Sequence, residues 1–206
     1  MIKVDTFVVG ELDTNCYLVE DVDTKKLLVV DPGERSDELI AEIEKRGGKL
    51  EYILLTHGHF DHITFVKQLS DLFPSDICVC EDELKLISRG LYNLSVIRNF
   101  SVEQFEVTKK LCDGDTLDFG NSKIKFIHTP GHTAGGGCYI IDDNIFSGDT
   151  LFCESIGRSD FPTSNSLDII RSVKMLSQLP GDYTVYTGHG EKTTMSHERK
   201  YNPYML

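Results

Sequence analysis

The chain has 206 residues, 40% of them hydrophobic, and a formal net charge of −12. That balance disfavours nucleic acid or an anionic membrane surface as partner, because no basic face offsets phosphate charge, and a small-molecule substrate is expected instead. Met1–Val9 has no basic region followed by a long apolar core and reads as a strand. No apolar run approaches the ~18 residues of a membrane span, so a cytoplasmic protein is expected.

Strands are predicted over 2–9, 14–20 and 26–31, separated by the turn residues of 10–13 and 21–24 and ended by Asp31-Pro32-Gly33. A helix follows. Ser36 suits its N-cap, Asp37 and Glu38 its first turn, Leu39, Ile40 and Ile43 its apolar stripe, and Gly47-Gly48 its stop. Residues 51–56 read as a buried strand and 62–72 as a helix, with Thr56-His-Gly-His-Phe-Asp-His62 on the turn between them. A short strand is predicted at 76–80 and a helix at 81–88. Residues 90–112 lack a clear period, and their apolar side chains suit either a loop packed on the core or a lid over a site. Strands return at 116–119, 123–128, 137–141 and 144–146. An amphipathic helix is predicted over 166–179, with Leu167, Ile170, Val173, Leu176 and Leu179 on one face and Pro180-Gly181 as its stop. A strand at 183–186 leads into Thr187-Gly-His-Gly190, and a short tail, 195–206, follows.

The halves echo each other. Cys16-Tyr-Leu-Val with Leu28-Val-Val-Asp31 matches Cys138-Tyr-Ile-Ile with Phe146-Ser-Gly-Asp149. In each half a hairpin ends in Asp, and a helix-then-strand unit ends in His57 or His189. One domain over 1–206 is expected, an α/β protein built as a four-layer αββα sandwich of two similar βα halves. The six cysteines include no C-x-x-C pair and read as small buried hydrophobes. Cys78 and Cys80 are expected on opposite faces of their strand, and Cys153, four residues after Asp149, is a candidate neighbour of the site.

Chemistry concentrates around His57, His59, Asp61 and His62. Imidazoles and a carboxylate crowded on one turn are a donor set that zinc, iron and manganese accept. Left unpaired after a buried strand, they would be costly to desolvate. His57 and His59 are two apart and point the same way in an extended loop, a set that His132 can complete. Asp61 and His62 project differently and can serve a second ion with His189. Asp149 can bridge the two. Two ions about 3.5–4 Å apart are the usual arrangement for hydrolysis. His128 and His197 have no partner pattern and read as structural or exposed.

Thr56–His62, with His132, Asp149 and His189 behind it, resembles the metallo-β-lactamase superfamily over essentially the whole chain. Thr129-Pro-Gly-His-Thr133, Ser147-Gly-Asp-Thr-Leu-Phe152, Gly157-Arg-Ser-Asp-Phe161 and Glu198-Arg-Lys-Tyr-Asn-Pro203 resemble its short, glyoxalase II-like hydrolases. The C-terminal helical domain that helps full glyoxalase II enzymes hold glutathione is expected to be absent. Ile63-Thr64-Phe65 stands where many relatives carry Ile-Gly-Gly, and the added bulk is expected to narrow the approach. Asp149, in place of Cys or Ser, is unlike many true β-lactamases.

The resemblance implies the metallo-β-lactamase fold and a centre of two divalent metal ions, zinc first, with iron and manganese used by relatives. His57, His59 and His132 would hold one ion and Asp61, His62 and His189 the other, with Asp149 bridging. It implies hydrolysis of a small thioester, S-lactoylglutathione or a related acyl thioester, by a metal-activated hydroxide. Asp61 and Asp149 would be the catalytic carboxylates, and Arg158 would contact an anionic part of the substrate. The Gly157–Asp160 segment also resembles persulfide dioxygenases, in which a single iron would use His57, His132 and Asp149.

Overall fold

The computed structural model describes residues 1–47 and 49–206. β1 (Ile2–Val9), β2 (Thr14–Asp21) and β3 (Lys26–Val30) form an antiparallel meander. α1 (Asp37–Arg46) then crosses the sheet so that β4 (Leu50–Leu54) adds parallel to β3. Ser36 caps α1, its Oγ accepting from the Leu39 N–H at 3.1 Å, and Gly47 closes it at φ 58°. Gly48, the second half of the expected stop, lies outside the described residues. α2 (Phe60–Ile63) and α3 (Val66–Leu72) lead to β5 (Asp76–Cys80), again parallel. A 3₁₀ turn at Glu81–Glu83, α4 (Leu84–Ile87) and an irregular stretch lead to β6 (Lys109–Leu111), parallel to β5. Parallel neighbours require such crossovers.

The second sheet repeats the plan. β7 (Thr116–Phe119), β8 (Ser122–His128), β9 (Gly137–Ile141) and β10 (Asn144–Gly148) run antiparallel. A small hairpin of β11 (Leu151–Phe152) and β12 (Ser155–Ile156) follows. α5 (Ser166–Ser177) returns the chain, and β13 (Thr184–Thr187) pairs parallel to β10. β14 (Thr193–Thr194) forms an edge, and α6 (Met195–Tyr201) packs beyond it.

Alternation along the strands builds the layers. On β2, Cys16 and Leu18 pack with Leu39, Ile43 and Val66 of the first helical layer, while Tyr17 and Val19 point between the sheets. On the other sheet Tyr139 and Phe146 face inward to meet them, and Cys138 and Ile145 pack outward on Val173 and Leu176 of α5. The result is the αββα sandwich expected from the two echoing halves. Cys78 and Cys80 both lie between the sheets. Residues two apart on a strand share a face, which corrects the expectation of opposite faces.

Other local expectations shift for tertiary reasons. The helix expected over 62–72 is broken at Thr64–Phe65, because the Phe65 N–H donates to the Pro32 carbonyl at 3.1 Å. Phe65 is 1% exposed and belongs to the core under the first sheet, so it does not narrow the approach to the site. On α5 the buried residues are Ile169, Ser172, Val173 and Leu176, while Leu167 is 69% exposed. The Ser172 hydroxyl donates to the Pro130 carbonyl at 2.7 Å, which turns a polar residue inward and rotates the buried stripe. The tail contains α6, capped by the Thr194 hydroxyl, which accepts from the His197 N–H. No helix among the described residues is long and apolar enough to cross a membrane.

The sheets are also tied by a polar contact. The buried Tyr139 hydroxyl donates to the Leu55 carbonyl at 2.9 Å, with the Cys78 carbonyl at 3.3 Å. Tyr139→Phe removes the donor to the buried Leu55 carbonyl, while the Cys78 carbonyl keeps the Leu55 N–H. A loss of about 1–2 kcal/mol is expected in denaturant unfolding, with the m-value unchanged.

Candidate metal centre

The candidate residues converge at the carboxyl ends of β4, β8, β10 and β13, the end at which α/β sheets commonly place their sites. β4 stops because Thr56 leaves the ladder. Its N–H and hydroxyl both donate to the Asp31 carboxylate, at 2.8 and 2.6 Å. His57 to His59 continue extended, and α2 then turns Asp61 and His62 toward the second half of the site. Two glycines permit close passage of backbone. A Cβ on Gly33 would fall 1.6 Å from the Asp61 carbonyl oxygen, and one on Gly157 would fall 1.8 Å from that of Asp149.

The two expected sets are both gathered. The donor atoms of His57, His59 and His132 lie within 4.8 Å of one another, and so do those of Asp61, His62 and His189. His59 Nδ1 faces His132 Nε2 at 2.9 Å, and His62 Nε2 faces His189 Nε2 at 3.4 Å. Asp149 stands between the sets. Its Oδ2 is 3.3 Å from His132 Nε2 and 3.6 Å from His189 Nε2, and its Oδ1 is 3.5 Å from His62 Nε2. Asp61 Oδ2 lies 3.3 Å from His189 Nε2 and accepts from the Thr14 hydroxyl at 3.2 Å.

The outer hydrogen bonds fix which ring nitrogens face inward. His62 Nδ1 meets Asp31 Oδ2 at 3.0 Å, His132 Nδ1 meets the Arg158 carbonyl at 2.8 Å, and His189 Nδ1 meets the Leu12 carbonyl at 3.0 Å. These acceptors require an N–H on Nδ1. His57 Nδ1 lies 3.1 Å from the Thr56 hydroxyl, whose own proton goes to Asp31, so His57 Nδ1 is a donor too. All four imidazoles therefore turn Nε2 toward one volume. His57 Nε2 and Asp149 Oδ1 are buried with no hydrogen-bond partner within the protein. Converging ring nitrogens and an orphaned carboxylate oxygen are stable together only around cations, and this donor set fits two divalent ions.

The electrostatics divide the site. Burial, reinforced by neighbouring imidazoles, holds His57 and His59 well below the ordinary histidine range. Burial likewise lowers His132, against the pull of Asp149. Burial also works against protonation of His62, but Asp61, Asp149 and Asp31 outweigh it and lift the group to about 10. His189 rises for the same reason, with Asp61 and Asp149 overcoming burial. Asp61 is penalised by burial yet kept well below the usual carboxylate range by His62 and His189.

Several supporting residues had no signal of their own in the sequence. Asp31 is 2% exposed and holds both Thr56 and His62. Glu83 is fully buried, and its two oxygens accept the Gly58 and Gly135 N–H groups at 2.8 and 2.7 Å. It thereby ties the His57–His59 loop to the His132 loop. Asn15 Nδ2 donates to the Thr187 and Gly190 carbonyls on either side of His189. The echo of hairpins ending in Asp31 and Asp149 was the one available hint to Asp31.

Other candidates fall outside the centre. Arg158 is exposed and ion-paired with Asp160 at 2.8 Å, and it is its main-chain carbonyl that touches His132. Cys153 groups with His197 and Glu198 and belongs to neither histidine set. His128 Nε2 lies 3.0 Å from the Ala134 carbonyl, and His197 lies 2.9 Å from Glu154.

The metallo-beta-lactamase superfamily model matches residues 9–189, and the chain belongs to that superfamily. A probable polyketide biosynthesis zinc-dependent hydrolase, BaeB, of Bacillus velezensis is 33% identical over 180 residues, covering 86% of this chain and 74% of that protein. The BLEG-1 B3 metallo-beta-lactamase superposes with a TM-score of 0.90 at 30% identity, covering 100% of both chains. TTHA1623 in a di-iron-bound form superposes with a TM-score of 0.86 at 31% identity, covering 98% of this chain and 100% of that one.

Two outcomes follow from the geometry and the charges. Asp31→Ala removes the acceptor that orients His62 and holds Thr56, and metal affinity is expected to fall about 10–100-fold by competition with a chelator. The second concerns pH. A group whose pKa is raised to about 10 keeps its proton at neutrality, so an ion entering the Asp61–His62–His189 set must displace it, and affinity there rises with pH. His57 and His59, pushed down, present no such competition. Acidification from pH 8 to pH 6 is expected to empty the Asp61–His62–His189 set first, read as metal content falling from two ions to one per chain. Simultaneous loss of both would contradict this.

Proposed function

We propose that the protein is a binuclear metal-dependent hydrolase that cleaves small acyl thioesters. The observation that carries the reading is the pair of donor sets whose imidazole nitrogens meet beside Asp149 from both sides. A lone structural ion would need only one set. Zinc is the first choice of metal, by analogy with the zinc-dependent relative, and the di-iron form of TTHA1623 supports iron as the second. When bound, the ion pair supplies Lewis acidity toward a carbonyl and generates a nucleophile from water near neutral pH.

The chain's own residues do the rest. His57, His59 and His132 would hold one ion and Asp61, His62 and His189 the other, with the Asp149 carboxylate available to both. Asp61 stays ionised, so its carboxylate is an acceptor that orients the proton of the attacking water. Phe161, with its ring 5.3 Å from that of His59 and 5.7 Å from that of His132, covers one side and limits access of bulk solvent. A mononuclear-iron persulfide dioxygenase would use His57, His132 and Asp149 alone. The second gathered set favours hydrolysis over it.

The test is to load metal-free protein with zinc, iron or manganese and follow thiol release from S-lactoylglutathione and simple acyl thioesters. Turnover that a chelator abolishes and metal restores is expected. Asp61→Asn should lower kcat by about 100-fold or more. No turnover of any thioester by protein carrying two ions would overturn the reading. Preferential opening of a β-lactam would move the assignment toward the activity named for BLEG-1, and oxygen uptake with glutathione persulfide would move it to the dioxygenase.

A further inference from the structure

A cavity of about 730 Å³ opens over the histidines, within the usual range of small-molecule sites. Its walls include Phe60, Leu94, Ile97, Phe152, Phe161 and Pro162, so most of what a ligand meets above the polar floor is carbon. Two arginines also line it, Arg98 and Arg158, and they are not equivalent.

Arg158 is already satisfied. Its Nε and Nη2 donate to Asp160 at 2.9 and 2.8 Å, and its guanidinium lies 4.6 Å from the Phe161 ring centre. Among the described residues, Arg35, Arg46 and Arg171 are also paired with carboxylates, Arg199 donates to main-chain carbonyls, and Arg89 lies over Tyr92. The Arg98 guanidinium has no such partner among the described residues. In a chain of net charge −12, an unmatched cation on the wall of this cavity points to an anionic ligand group.

The Arg98 side chain is exposed, but the main chain that carries it is held in place. The Phe60 N–H donates to the Asn93 carbonyl at 2.9 Å, the Phe60 and Phe100 rings lie 4.8 Å apart, and the Arg98 N–H donates to the Ser95 carbonyl at 3.2 Å. The segment carrying Arg98 is thus fastened to Phe60, which sits between His59 and Asp61.

We propose that the substrate is an acyl thioester with an apolar body and an anionic end, a carboxylate or phosphate that pairs with Arg98 while the scissile carbonyl lies over the histidine–aspartate centre. This rests on the hydrolase reading and adds the substrate class and the specificity residue. Water supplies hydroxyl to the acyl carbon and a proton to the departing sulfur, the C–S bond breaks, and no oxidant or reductant takes part. Arg98 takes the role that the sequence assigned to Arg158.

The test compares matched pairs on the metal-loaded chain. S-octanoyl-3-mercaptopropionate is set against its uncharged amide, and S-octanoyl-4′-phosphopantetheine against S-octanoylpantetheine. Wild type should favour the anionic member of at least one pair, and the pair that responds identifies carboxylate or phosphate as the end group. Arg98→Ala should raise KM for that anion about tenfold, equivalent to about 1.4 kcal/mol, with kcat within about twofold and the neutral member unaffected. Arg98→Lys should recover part of the loss, and Arg158→Ala should keep the discrimination.

Binding is read separately by calorimetry with the uncleavable thioethers, S-octyl-3-mercaptopropionate and S-octyl-4′-phosphopantetheine, each against its neutral partner. Arg98-dependent binding of a charged thioether without any thioester turnover would sustain the anion site and overturn the hydrolase reading. Equal affinity of wild type for charged and neutral thioethers, or an Arg98→Ala variant that weakens both alike, would overturn the inference itself.

Discussion

The site depends on one buried carboxylate. Asp31 is 2% exposed and ends β3 with a left-handed backbone at φ 50°, a conformation uncommon for a residue with a Cβ. A carboxyl group so deeply placed is tolerable only with its oxygens occupied. Oδ1 takes the Thr56 N–H, and Oδ2 takes the Thr56 hydroxyl and His62 Nδ1–H. These bonds end β4, start the metal loop and fix the His62 tautomer together. The same Thr56 hydroxyl receives His57 Nδ1–H, so one histidine of each set is oriented through Asp31. The cost of burying that polar group and the geometry of the two donor sets are one constraint.

The second sheet is held to the first by the same logic. Each loop that brings a histidine from the far half is clamped by groups from the near half. Glu83 carries no net electrostatic gain from its burial, which pushes its pKa up against the hydrogen bonds it accepts. It joins the Gly58 and Gly135 N–H groups, whose loops carry His59 and His132, side chains that come within 2.9 Å. Asn15 and Tyr17 of β2 hold the Thr187 carbonyl just before His189. In the far half, main-chain groups of these metal loops that lie in the interior are paired by side chains of the near half. The pairing of halves therefore assembles the centre, and neither half holds a full complement.

Much of this was legible in the sequence because the chemistry there is dense. Three histidines and an aspartate within six residues have few alternatives, and strands whose neighbours alternate between two cores, such as Cys16-Tyr-Leu-Val19, declare both faces. What was not legible depends on long-range bonds. Glu81, Asp82 and Glu83 look alike as a run of acids, yet only Glu83 is buried, because only its reach meets two loop N–H groups. The break at Phe65 comes from Pro32, and the rotated face of α5 comes from the bond of Ser172 to Pro130. The strand at 109–111 is three residues long and exists because β5 offers an edge to it. None of these has a local periodic signature.

The metal floor and the cavity above it obey different rules. At the floor His57, His62, His132 and His189 are each held by a second bond, and the arrangement tolerates little change, as the glycine contacts at Gly33 and Gly157 require. Above it, the walls come from an irregular segment after α4 and from the turn around Phe161, which are set by side-chain packing more than by ladders. Walls of this kind can set the choice of ligand while the floor stays fixed. In this chain the walls are apolar, and Arg158 is already matched by Asp160. The charge that discriminates between ligands is consequently the one the fold leaves unmatched, Arg98, which is fastened through Phe60 to the loop that carries His59 and Asp61.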